Sequence, residues 1–188
     1  MRFSRKRHGV VEGKLDRVEA GVLTSVVGDL LDLLGDGGPD KGDGVGEQDP
    51  LAAMIGMPTG PVERPSDPAL ARLLPDAYGD DDDAAADFRR YTEVDLRAGK
   101  RANASAVLGT LAPYVETGGK ILLDREYQDA WLSCLNDLRL VLGTRLGVTE
   151  DTEFDPASDD PHQQALLVYG WLGWLQESLL EAMGSGAR

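Results

Sequence analysis

Cys134 is the residue whose type best suits covalent chemistry here, because a thiolate can be oxidised or can attack an electrophile. It is the single cysteine among 188 residues, so an intramolecular disulfide is impossible. A nucleophile also needs a base within reach. The histidines are His8, in a basic stretch, and His162, in the first turn of a helix, and neither sits in a motif. At about 100° per residue, Cys134 falls at the edge of an apolar stripe that begins at Trp131. That position suits a small buried hydrophobe, with sulfenylation, or a disulfide joining two chains into a homodimer, as the redox alternative. Arg145 shares that side of the helix but lies about three turns further on, too far to lower the thiol's pKa.

Metal and cofactor chemistry find no better support. Two histidines leave a histidine-based site short of ligands. Asp80, Asp81, Asp82 and Asp83 are consecutive, so their side chains diverge, whereas a calcium loop alternates its oxygen ligands and turns on a glycine. A solvated helix start, where negative charge suits the dipole, is the better reading. The stretch from Gly35 to Gly46 lacks the Lys-Ser/Thr ending and the following helix of a phosphate loop. The expectation is a non-enzymatic protein without metal or cofactor.

Three other groups are candidates for contact. Asp137 and Arg139 interrupt an apolar helix and lie about 160° apart, so each must find its partner on a different neighbouring segment. An arginine of the long helix ahead of them would suit Asp137, in an ion pair that sets helix packing. Leu167, Trp171 and Trp174 lie on the last helix. Trp171 belongs with its core stripe, while Trp174 and Leu167 share a shoulder where aromatic residues could anchor a partner. Arg2, Arg5, Lys6 and Arg7 form the one concentrated cluster of positive charge. They could touch DNA phosphates or an acidic partner, or form a solvated terminus.

The elements that must hold these residues follow from periodicity and caps. Residues 10–15 read as a strand. Asp16, with Glu19 three residues on, caps a helix that carries Val22, Val26 and Leu33 beside Leu23, Val27, Leu30 and Leu34, and that ends at Gly35. Residues 36–49, nearly all Gly, Asp and Pro, predict a flexible acidic loop. Short helices follow at 50–55 and 68–74, each opened by Asp-Pro. A long helix spans 83–111, lined by Phe88, Tyr91, Val94, Ala98, Ala102 and Leu108, with Arg89, Arg90, Arg97, Lys100 and Arg101 as its charged remainder. Lys120–Leu123 read as a second strand. Asp124 caps a helix over 125–146 with Trp131, Leu135, Leu138, Leu142 and Leu146 on one stripe and Leu132 and Leu140 on other sides, so neighbours are expected to cover it nearly all round. An acidic loop at 150–160 leads to a last helix ending near Met183, with Val168, Leu172, Leu175 and Leu179 as its stripe.

Residues 15–35 and 123–143 share eight positions, Asp16/Asp124 and Gly35/Gly143 among them, in the same order of strand, capping aspartate and helix. Shared capping rules or an internal duplication would each produce this pseudo-repeat, and its two strands could pair as a ribbon. The expected architecture is mainly α: one helical domain over 10–183 with a small two-stranded β element, a basic arm at 1–9 and a tail at 184–188.

Composition bounds the rest. Thirty-three acidic residues against 19 basic ones give a formal charge of −14, and 41% hydrophobic residues mark a globular chain. Such a surface repels phosphates and anionic lipid. No apolar run approaches the roughly 20 residues that span a bilayer. The basic start is not followed by the apolar run of a signal peptide, so the expected location is the cytoplasm.

Three ordered blocks carry a resemblance: Asp67 through Tyr78; Trp131 through Asn136-Asp137-Leu138-Arg139-Leu140 to Gly143; and Trp171-Leu172 with Leu175-Gln176-Glu177. Together they resemble the actinobacterial oxidative-stress regulators called the AosR family, long described as a domain of unknown function, over Val11 to Leu180. The resemblance implies a cytoplasmic transcriptional regulator of redox homeostasis that acts with an alternative sigma factor. Members are encoded beside the adaptor of the Clp protease, which suggests a second role as an interaction module in proteolysis. A lone Cys134 rules out an intramolecular disulfide switch. The chain's acidity and the lack of a basic recognition helix after a turn point to contact with a sigma factor or RNA polymerase. Direct DNA binding through the basic arm is the alternative.

Overall fold

Capped helices and short strands make up the computed structural model, which describes residues 1–35, 64–77 and 81–184. The strands are β1 (Arg2–Arg5), β2 (Val11–Leu15) and β3 (Gly119–Leu123). The helices are α1 (Arg17–Leu34), α2 (Pro68–Leu73), α3 (Asp82–Leu111), α4 (Arg125–Arg145) and α5 (Pro161–Gly184). The fold is mainly α, with its strands in one antiparallel sheet of order β1-β2-β3. The predicted loop at 36–49 and helix at 50–55 lie outside the described residues, as do 185–188 of the predicted tail.

Aspartates start the helices as their positions predict. Asp16 and Glu19 form a reciprocal capping box on α1, each accepting the other's backbone N–H at 2.9 Å. Asp67 accepts from the N–H groups of Ala69 and Leu70 on α2, Asp81 from Ala84 on α3, and Asp124 from Tyr127 on α4. The two segments that echo one another in sequence both form strand, aspartate cap and helix, and their strands β2 and β3 pair directly, with Val11 opposite Leu123 and Leu15 opposite Gly119. Gly118 sits at φ +64° between α3 and β3, where a Cβ would lie 2.8 Å from the Leu15 carbonyl oxygen, so both conformation and space require glycine.

The sheet has three strands where two are expected from the sequence, and the extra one is the supposed basic arm. Phe3 points inward and is buried, while Arg2, Ser4 and Arg5 are exposed. His8 at φ 60° and Gly9 at φ 77° turn the chain back, and the Lys6 N–H donates to the Val10 carbonyl at 2.7 Å. Ser178 of α5 accepts the Phe3 N–H at 3.0 Å, which fastens β1 to the last helix. One apolar residue among basic ones carries no strand periodicity of its own; pairing with β2 supplies it.

Helix α4 lies at the centre, packed against α1, α2, α3, α5 and β3. Trp131, on α4 and fully buried, meets Phe3 edge-on, with ring centroids 5.6 Å apart and planes at 78°. Its indole N–H donates to the Thr110 hydroxyl on α3 at 3.0 Å. One side chain thus joins β1, α3 and α4.

Helix α3 corrects the expected packing. Phe88, Tyr91, Val94, Ala98 and Ala102 are exposed, and the inward face is Ala85, Arg89, Arg97, Ala104, Val107 and Leu111. The reason lies at the C-terminus of α1, whose last carbonyls have no partner within the helix. Arg97 donates to the Leu34 carbonyl at 2.7 Å, and Arg101 donates to the carbonyls of Leu31 and Gly35. Cations suit the negative end of the α1 dipole. The arginines therefore turn toward the protein, and the aromatic row turns toward solvent.

Candidate functional site

Polar groups buried along α4 make up the interior part of the site. Asp137, with a side chain only 4% exposed, accepts from Lys100 Nζ of α3 at 2.7 Å. Burial pushes its carboxyl pKa upward, and Lys100 opposes that shift. Arg139, on another side of α4, donates to the Gln176 side chain on α5 at 2.6 Å and lies over the Tyr169 ring at 5.6 Å. The divergence of Asp137 and Arg139 on the helical wheel holds in three dimensions. The partner of Asp137 comes from the long helix as expected, but it is a lysine and not an arginine.

Cys134 stands one turn from Asp137 and is 1% exposed. Burial, with the Asp137 charge adding to it, pushes the thiol pKa from 9.0 to about 12. Arg145, the cation considered for it, pairs instead with Asp67 at 2.7 Å. His8 and His162 are both exposed, in the β1–β2 turn and the first turn of α5. The sequence's nucleophile and its candidate bases are therefore not brought together. A shift of three units leaves a thousandth of the thiolate fraction of a free thiol near neutrality. Alkylation of the native protein by iodoacetamide is thus expected to be at least about a thousandfold slower than in denaturant, followed by mass spectrometry; comparable rates would show that Cys134 is open to solvent.

On α5, Trp174 is 46% exposed, while Leu167 and Trp171 are partly buried. Trp171 packs at the margin of the core, and Trp174 stands out from it. A second apolar surface, Phe88, Tyr91, Val94 and Leu96, is exposed on α3. Its helical spacing is visible in the sequence, but only the rotation of α3 places it outside.

The N-terminal cations separate. Arg5 donates to the Met183 carbonyl at 3.0 Å, closing β1 against the end of α5. Lys6 pairs with Glu12 at 3.1 Å and is the main cause holding that carboxyl below its usual range. Arg7 lies in the turn, and Arg2 projects from the outer face of β1. There it stands opposite Lys14 of β2, which stands opposite Lys120 of β3. Sequence reasoning missed Lys14 and Lys120, since only strand register joins residues so far apart.

Among the described residues no group of three or more His, Cys, Asp or Glu could hold a metal ion. None of the described helices is long and apolar enough to cross a membrane.

No solved structure matches this chain. Residues 1–183 match the family described as a domain of unknown function, DUF2017. The oxidative stress regulators AosR of Mycobacterium bovis and Mycobacterium tuberculosis are each 34% identical to it over 181 residues, covering 89% of this chain and 79% of theirs. A Mycobacterium leprae relative is 33% identical over 178 residues, with 88% and 78% covered. The match of the family model over residues 1–183 makes this chain a member of the DUF2017 family, and the AosR oxidative stress regulators are its relatives over most of its length.

Proposed function

We propose that the protein regulates the response to oxidative stress by contact with a sigma factor or RNA polymerase, without catalysis. The relatives' name supports the regulatory role. The observation that favours protein contact over DNA reading is the orientation of α3. This helix holds the densest basic run outside the N-terminus, yet Arg89 pairs with Asp76, Arg97 and Arg101 bind α1 carbonyls, and Lys100 binds Asp137. What α3 offers to solvent is an aromatic and aliphatic row beside the acidic Asp87 and Asp95, and α5 adds Trp174. Such exposed anchors suit a protein surface, while the chain's net charge of −14 opposes a polyanion.

Purified protein, mixed with core RNA polymerase and alternative sigma factors in turn, is expected to co-elute with one of them. Trp174→Arg is expected to weaken that complex by about thirtyfold, corresponding to roughly 2 kcal/mol for a central aromatic anchor. Specific, sub-micromolar binding to promoter DNA at physiological salt without sigma factor would overturn the reading. An unchanged redox response in Cys134→Ser would place the oxidant sensor outside this thiol.

A further inference from the structure

The outer face of the sheet has an arrangement that strand pairing ordinarily avoids. Arg2, Lys14 and Lys120 occupy successive opposed positions on β1, β2 and β3, all exposed. Opposed side chains on one face sit about 5 Å apart, and like charges there are destabilising. Arg2 and Lys14 make no ion pair among the described residues, and Lys120 reaches only Glu12, at 3.6 Å, which it shares with Lys6. Counting Lys6, the face carries four cations and one carboxylate in a chain of net charge −14. Beside the row, Leu122 stands 63% exposed.

We propose that this face docks an acidic, partly aliphatic segment of a partner protein. The proposal rests on the reading that the protein works by protein contact, and names a surface for it. Charge complementarity fixes the sign of the occupant, since carboxylates set over the row would relieve the repulsion among its cations. Leu122 favours a polypeptide over nucleic acid, because an exposed leucine has an apolar match in a side chain and none in a phosphate backbone. The patch is also small, three strands wide at about 4.8 Å per strand, so it spans a peptide better than a duplex, whose further phosphates would meet the acidic remainder of the surface.

The test uses the full chain and a fluorescein-labelled peptide of alternating glutamate and valine, read by anisotropy at low and physiological salt. Binding that weakens with salt is expected, and it is expected to fall by about tenfold or more in Arg2→Glu/Lys14→Glu/Lys120→Glu. Arg125→Glu, an exposed cation on α4 away from the row, is expected to bind as the wild type does. Lys14→Gln separates binding from folding: it is expected to weaken binding while leaving thermal stability equal or raised, because it removes the middle charge of the row. Equal binding by the triple variant and the wild type would overturn the proposal. So would tighter binding of a mixed-sequence DNA duplex than of the peptide, which would make nucleic acid the occupant. A concentration-dependent dimer in sedimentation, lost in the triple variant, would make a second copy the occupant and likewise overturn it. If the polymerase experiment finds a partner whose capture survives the triple reversal, protein contact stands and this surface does not.

Discussion

Replacing Trp131 with alanine is expected to lower stability by about 3–5 kcal/mol, the range for large aromatic-to-alanine changes in cores. The indole is fully buried, packs edge-on against Phe3 and donates to Thr110. Its removal opens a cavity where β1, α3 and α4 meet, and no one neighbour can move in without leaving another contact. For a domain of this size that loss lowers the melting temperature by roughly 6–20 °C. Trp131→Phe keeps much of the volume and loses the N–H donor, so it is expected to cost about 1–2 kcal/mol. Urea unfolding followed by far-ultraviolet circular dichroism separates the two. A phenylalanine variant as unstable as the alanine one would show that the hydrogen bond, and not the packing, dominates.

The second large effect is expected at Lys100. Lys100→Met leaves the Asp137 carboxylate buried without its cation, a loss of about 3–5 kcal/mol for a broken buried pair. Adding Asp137→Asn removes the stranded charge, and the double variant is expected to recover most of that stability. The pH dependence has a definite sign. Asp137 already titrates above the unfolded value of 3.8 because burial disfavours its charge. A raised carboxyl pKa contributes stability that is present below the unfolded value and lost as pH rises through the folded one. Without Lys100 the folded pKa rises further. The Lys100→Met defect is therefore largest near neutrality and shrinks as pH falls through the raised folded pKa of Asp137, as protonation supplies what the cation did. A defect that stays constant over that range would mean that Lys100 acts through packing alone.

The two effects differ in how far the sequence foretells them. Trp131 begins an apolar stripe on a helix that also places Leu132 and Leu140 on other sides, so its central place is legible from periodicity alone. Asp137 and Arg139 are legible as a divergent pair, because residues two apart on a helix cannot share a face. Their partners are less so. Lys100 and Gln176 are each 37 residues from the groups they bind, a separation that carries no local signal. Cys134 could be placed at the edge of the stripe, but the depth of its burial comes from the helices stacked around α4.

The N-terminus shows the opposite case. Arg2, Arg5, Lys6 and Arg7 look like a solvated arm because charged residues dominate, yet Phe3 and its hydrogen bond to Ser178 of α5 hold the segment as a strand. The donor and the acceptor are 175 residues apart. Likewise the apolar row of α3 is real, but apolar periodicity says only which side chains lie together.

Sequence alone determined the long helices, the two strands β2 and β3, the aspartates that start the helices and the family to which the chain belongs, since these depend on caps, spacing and residue identity close along the chain. The tertiary structure decided which face of α3 turns inward, that the basic N-terminus is a strand, and that Arg2, Lys14 and Lys120 form one row. Each of these depends on a group that a distant segment supplies: the open carbonyls of α1, the Ser178 hydroxyl, or the pairing of three strands into one register.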